Sequence, residues 1–164
     1  MIGIGRLYVV EFHNVSVSAQ QDLFYIKPAA DKICVIELVK VAVVGGTADA
    51  GDAQEELLDV ELIRVPATVT VGSGGNSFTP NPLVTNDTAA GFTARINDTT
   101  KATTSGSLLN LDSDGMNSRS PYIYLPAPEH RPLVANAQAV VFRLNTTPND
   151  ALTMNGAMLV REMP

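Results

Sequence analysis

The sequence predicts an all-β protein, a single antiparallel β-sandwich of the jelly-roll type. Apolar residues recur with a period of two along the chain, which is the spacing of one face of a β-strand. The strand candidates are short and are separated by Pro, Gly and Asn at regular intervals, as in sandwiches and barrels. A chain of 164 residues buries enough surface to fold without a disulfide or metal. We therefore predict one domain over residues 1–164.

The N-terminal strand shows the alternation and also an interruption of it. Tyr8 and Phe12 occupy even-numbered positions, whereas Val15 and Val17 occupy odd-numbered positions. One extra residue in a strand exchanges the positions that face the core with those that face outward, so this pattern predicts a β-bulge near Asn14.

The clearest strand is predicted over residues 33–44, where β-branched residues dominate and favour a pleated surface. Simple alternation places Cys34, Ile36 and Leu38 on one face and Val39 on the other. The apolar neighbours of Cys34 predict a buried, unreactive thiol.

Further strands follow from the same pattern, ended in each case by proline or by small polar residues. The predicted strands cover residues 7–17, 23–26, 33–44, 58–62, 68–71, 92–96, 108–111, 122–125, 139–144 and 153–162. The glycine-rich stretch 72–76 is predicted to be a loop, and the proline-flanked segment 126–132 a rigid, exposed turn.

The charge composition argues against two classes of partner. The net charge is −6, and the 11 Lys and Arg residues are scattered along the chain. Binding to nucleic acid or to an anionic membrane depends on clustered basic residues, so we expect neither partner. Charged residues make up only 17% of the chain, below the usual ~25%. This deficit fits either a surface covered by another protein or a surface made polar by Thr, Ser and Asn.

The residues that carry out catalysis or bind metals do not form a recognisable motif. Gly72-Ser73-Gly74-Gly75 lacks the Lys and the helix that follow a phosphate-binding loop. His13 and His130 are the two histidines, too few for the usual catalytic zinc pattern. We expect no enzyme activity, cofactor or catalytic residue. Residues 111–115, which include Asp112 and Asp114, are predicted to form an Asx-rich turn, and a weak calcium site there is left open.

Several segments resemble small proteins of tailed-bacteriophage head gene clusters, of the capsid decoration or cement type. The similarity covers most of the chain and rests on residues 21–32, 70–75, 89–94, 126–134, 143–144, 152–156 and 159–162. The resemblance implies a virion protein made in the host cytoplasm and bound to the capsid surface. Its implied partners are the major capsid protein and two further copies of itself, in a homotrimer.

Contacts with these partners are predicted at two places. The N-terminal segment, about residues 1–6, is expected to dock on a neighbour through Ile2 and Ile4. The other candidate contact residues lie between positions 122 and 131, and they are Tyr122, Tyr124, His130 and Arg131.

Two alternative functions stay open at this point. One is a head-fibre base or a tail-associated β-sandwich. The other is a carbohydrate-binding module, for which Tyr122 and Tyr124 could form a small platform because residues two apart in a strand lie on the same face. The absence of Trp weakens this last alternative.

Overall fold

The computed structural model describes residues 5–44, 56–66 and 68–164. These residues form fourteen β-strands and one 3-10 turn (Pro128–His130), with no α-helix. The strands are β1 (Arg6–Val17), β2 (Gln21–Pro28), β3 (Ile33–Val43), β4 (Leu57–Val65), β5 (Val69–Thr70), β6 (Asn76–Phe78), β7 (Asn81–Pro82), β8 (Phe92–Asp98), β9 (Thr103–Thr104), β10 (Leu109–Asn117), β11 (Tyr122–Tyr124), β12 (Leu133–Val134), β13 (Ala139–Leu144) and β14 (Leu152–Met163).

Two antiparallel six-stranded sheets pack together, which confirms the predicted all-β sandwich. Sheet A has the order β11-β3-β14-β1-β7, and β12 also pairs with β3. Sheet B has the order β10-β4-β13-β2-β8-β6, and β5 and β9 form a separate ribbon. The first four strands alternate between the sheets, as do β13 and β14. The boundary of a single domain at 1–164 stays a prediction.

The core lies between the sheets and is built from the inward-facing positions of the long strands. Tyr8, Phe24, Phe142 and Met158 are all fully buried there. The ring centroids of Phe12 and Phe24 lie 5.1 Å apart, which fixes the contact between β1 and β2 across the sandwich. This interdigitation is how the period of two in the sequence becomes a stable core.

Two β-bulges adjust which side chains face inward. The pairing of β1 with β14 shifts between Phe12 and Val15, and Asn14 has a φ of 51°, so the predicted bulge is confirmed. A second shift, opposite Leu159 and Val160, was not predicted. It turns Leu38 outward, although simple alternation had grouped it with the inward-facing residues before it.

Sheet B is covered on its outer face as well. The segment between β4 and β10 folds back over it, and Ala102 and Val69 pack on Tyr25 and Val141. Every residue of β13 is consequently buried. This double coverage explains why the apolar residues of β13, Ala139 to Phe142 and Leu144, do not alternate with exposed polar residues.

A buried ion pair fastens this segment to sheet B. The Asp22 carboxylate accepts hydrogen bonds from Nε of Arg143 at 2.6 Å and from the backbone N–H of Ala102 at 2.6 Å. Arg143 in turn donates to the carbonyl of Ala102 at 2.9 Å. Each partner is thus satisfied in a site that water does not reach.

A second carboxylate holds the glycine-rich loop. Asp98 is buried, and its Oδ1 accepts from Nη2 of Arg95 at 2.6 Å and from the backbone N–H of Gly75 at 3.1 Å. A Cβ at position 75 would lie 2.2 Å from the carbonyl oxygen of Ile96. Glycine is therefore required at position 75 by close backbone approach, and the loop forms no phosphate cradle followed by a helix.

Cys34 faces the core, as predicted from its apolar neighbours. Its side chain is fully buried and forms no disulfide. Burial, with the nearby Glu162 carboxylate, raises the pKa of the thiol to about 12, so the reactive thiolate is disfavoured.

Candidate protein-interaction surface

One side of β3 carries two short strands and the proline-rich turn between them. Tyr122–Tyr124 pairs with Val41, Lys40 and Val39, and Leu133–Val134 pairs with Val35 and Cys34. The N–H of Ile36 donates to the carbonyl of Pro132 at 3.0 Å, which holds the end of the turn against the same strand. The exposed residues of this edge include Ile123, Leu125, His130 and Leu133, and we call these four the edge surface.

The edge surface is more apolar than an ordinary solvent-exposed strand. Ile123, Leu125 and Leu133 are exposed by 59%, 68% and 57%. Sheet B contributes Leu109, which pairs with Arg64, while Arg64 donates to the carbonyl of Leu133 at 2.9 Å. Large exposed apolar groups gathered along one side of a protein are typical of contact with another protein.

Prolines limit how far this edge can pair with a further strand. Pro121, Pro126, Pro128 and Pro132 have no backbone N–H, so a partner strand that runs beyond β11 or β12 would meet gaps in the hydrogen-bonding ladder. Side chains therefore offer a partner more contact at this edge than the backbone does.

Arg131 anchors the turn to sheet A. Its guanidinium forms an ion pair with Glu37, whose other oxygen accepts from Nε of Arg161 at 2.6 Å. Glu37 is buried, with a relative exposure of 5%. The arrangement holds the exposed His130 next to a fixed residue, which reduces the entropy lost when a partner binds.

Tyr122 belongs to the core in the isolated chain. Its ring stacks on Phe142 with centroids 4.9 Å apart, and its hydroxyl donates to Asp112 at 2.5 Å. Burial and the hydrogen bond to Asp112 raise the pKa of Tyr122, and burial also raises the pKa of the half-buried Tyr124. Both phenols therefore stay neutral, and the Tyr122 ring is not presented to solvent as a binding platform.

The structure brings four of the six sequence-predicted contact residues to one edge. His130 is exposed on it, Tyr124 is half-buried beside it, Arg131 anchors it and Tyr122 lies beneath it. Ile2 and Ile4 lie outside the described residues, so their predicted contact is untested.

Three residues of the edge surface were missed: Ile123, Leu125 and Leu133. The sequence did carry a signal for two of them, because Ile123 and Leu125 alternate with Tyr122 and Tyr124. Successive side chains of a strand face opposite sides, so Ile123 and Leu125 face away from the core.

Within the ranges that the structure describes, there is no group of three His, Cys, Asp or Glu residues able to hold a metal ion. Asp112 and Asp114 lie in β10 and not in a turn, and Asp112 is engaged by Tyr122. In the same ranges, no helix has the length and apolar character needed to cross a bilayer.

Comparison with known proteins identifies no relative. No protein-family model, curated protein or solved structure matches the chain. The resemblance to phage head proteins therefore stays a prediction from sequence.

Proposed function

We propose that this chain is a structural protein that acts through protein–protein contacts, and that it decorates and stabilises a tailed-phage capsid. In this proposal, the edge surface joins copies of the chain into a homotrimer. The trimer then binds the major capsid protein at the capsid surface, and the N-terminal segment, with Ile2 and Ile4, contributes to that second contact.

The observation that carries the proposal is an apolar edge on a rigid support. Ile123, Leu125 and Leu133 lose solvent contact when another protein covers them, and each such side chain is worth roughly 1.5–3 kcal/mol when fully buried. The support comes from the Arg131–Glu37 ion pair and from the prolines of the turn. A cement protein must resist deformation, and a support of this kind suits that task.

The strand order supports the finer description of the fold. Sheet A contains the order β11-β3-β14-β1, and sheet B contains β10-β4-β13-β2. We infer a jelly roll in which two four-stranded sheets are crossed by successive strands. The segment between β4 and β10 is then an insertion that covers sheet B.

The alternatives differ in what they require of the same edge. A carbohydrate-binding module needs an exposed aromatic platform, and the stacking of Tyr122 on Phe142 argues against one here. A head-fibre base or tail-associated protein could use the same trimer contact. Binding to heads separates that alternative from the proposal.

The test is co-sedimentation of the purified chain with undecorated heads of the phage that encodes it. We expect saturable binding at a fixed ratio to the capsid protein, and loss of binding in Leu125→Asp. The matched control is Val71→Asp, which places the same charge on an exposed apolar residue outside the edge surface. Absence of wild-type binding to heads, with binding to tails or fibres, would favour the alternative.

A further inference from the structure

None of the described residues covers the outer face of sheet A, unlike that of sheet B, and this face has an apolar centre. Val9, Leu159 and Leu38 lie side by side across β1, β14 and β3, since Leu159 pairs with both others. All three side chains face outward and are half-buried. Outward positions of a solvated antiparallel sheet are ordinarily polar, so this row is a candidate contact surface.

The next row along the same strands carries opposite charges on its two sides. Ala157 pairs with Glu11 on β1 and with Lys40 on β3. Lys40 is exposed and has no ion pair within the described parts of the chain, whereas Glu11 lies 3.2 Å from Nε2 of His13. The small Ala157 leaves a groove of about 410 Å³ between the two charged side chains.

We propose that this face binds the same face of a second copy of the chain. A two-fold axis parallel to β14 places β1 of one copy over β3 of the other, with the rows kept in register. Glu11 then lies opposite Lys40 of the second copy, and the reciprocal pair forms on the other side of the axis. Val9 lies opposite Leu38, and the two Leu159 side chains meet at the axis.

The dimensions of the face are sufficient for such a pair. Five strands about 4.8 Å apart make sheet A roughly 20 Å wide, and packed sheets lie about 10 Å apart. The long Glu11 and Lys40 side chains can span that gap because Ala157 leaves the groove open between them. The full length of about 30 Å is reached by β1, β14 and β3, since β11 has three residues and β7 has two. The pair therefore buries about 800 Å² in total, which suits a weak, concentration-dependent contact.

The rim of the face is compatible with this arrangement. Arg161 lies opposite Arg161 of the second copy, which by itself would be repulsive. In each copy, Glu37 accepts a hydrogen bond from Arg161 and also pairs with Arg131, so its carboxylate offsets part of the repulsion between the two Arg161 side chains. Packed sheets also rotate by about 30°, which favours close contact at the central rows over the rim.

The test is a charge exchange, read by sedimentation velocity over a wide range of protein concentration. Glu11→Lys and Lys40→Glu are each expected to weaken the pairing about tenfold or more, because each reverses two symmetry-related contacts. The double variant Glu11→Lys/Lys40→Glu is expected to restore it. Lys27→Glu, which makes the same charge change on sheet B, serves as the control and should leave the pairing unchanged.

Ile123 belongs to the edge surface and also lines the groove beside Lys40, so the two proposed contacts meet at that residue. Leu125 does not line the groove, so Leu125→Asp and Lys40→Glu still test the two contacts separately. If both contacts form and the two-fold axis crosses the three-fold axis at a right angle, the wild type is a hexamer, Lys40→Glu leaves a trimer and Leu125→Asp leaves a dimer. The face-to-face proposal is overturned if the single variants pair as well as wild type, if the double variant stays as weak as the singles, or if no paired species forms at any concentration.

Discussion

Removal of the Asp22 carboxylate should destabilise the protein far more than the loss of one surface ion pair. In Asp22→Ala, the buried Arg143 keeps its charge but loses two hydrogen bonds to the carboxylate, at 2.6 and 3.1 Å. The N–H of Ala102 loses its acceptor as well. Breaking one partner of a buried ion pair costs about 3–5 kcal/mol. The free energy of unfolding is typically about 5–15 kcal/mol in total, so this is a large share.

The measurement is urea unfolding followed by far-ultraviolet circular dichroism, with thermal unfolding in parallel. For a chain of this size we expect the melting temperature to fall by on the order of 10 °C. Asp31→Ala is the control, since Asp31 is exposed and its only ion pair among the described residues is with Lys32 at 3.8 Å. It should leave the melting temperature unchanged.

A double variant separates two contributions to the free energy of unfolding: the penalty for leaving one buried charge unpaired and the net stabilisation from the ion pair itself. Asp22→Ala/Arg143→Met removes both charges, so it should be more stable than Asp22→Ala alone. Hydrogen exchange should also be faster at Ala102 in both variants, because the segment that covers sheet B loses its anchor. If Asp22→Ala costs under about 1 kcal/mol, or if the two single substitutions simply add, then the proposed role of the pair is wrong.

Three further predictions concern the core. In Gly156→Ala, the new Cβ would lie 2.5 Å from the Phe12 ring, so we expect a loss of about 1–3 kcal/mol in urea unfolding. Cys34 should react with a thiol reagent only when the protein unfolds, since its pKa is raised to about 12; labelling in native buffer as fast as in urea would contradict this. Burial raises the pKa of Tyr25 from 10.0 to about 12 and also raises that of Tyr122, so the fold favours the neutral phenol. The contribution of these tyrosines to the free energy of unfolding should therefore be constant below pH 10 and fall as the pH rises toward 12. Tyrosinate absorbance and loss of circular dichroism should then appear together.

The fold was predictable where local pattern and burial agree. Alternation along β1 and β4 corresponds to one buried and one outward face, and the reversed parity after Phe12 correctly predicted the bulge at Asn14. The sequence was misleading for β10, whose residues Asp112–Gly115 look like a turn. They form a strand because β4 supplies the ladder partners, and such long-range pairing overrides local preference.

The sites that depend on distant partners could not be predicted. Asp22 and Arg143 are 121 residues apart in sequence, and no local signal pairs them. The proline pattern did predict the exposed turn at 126–132, but not that it would lie against β3. The outward position of Leu38 depends on a bulge that simple alternation does not reveal.

The central claim is that the edge surface joins copies of the chain, and the solution mass tests it most directly. Light scattering on a sizing column should give three times the chain mass of 17.4 kDa, or six times if the sheet A faces also pair. Leu125→Asp should abolish the three-fold species and Val71→Asp should preserve it. A wild-type monomer at every concentration, or a trimer that Leu125→Asp leaves intact, would contradict the account.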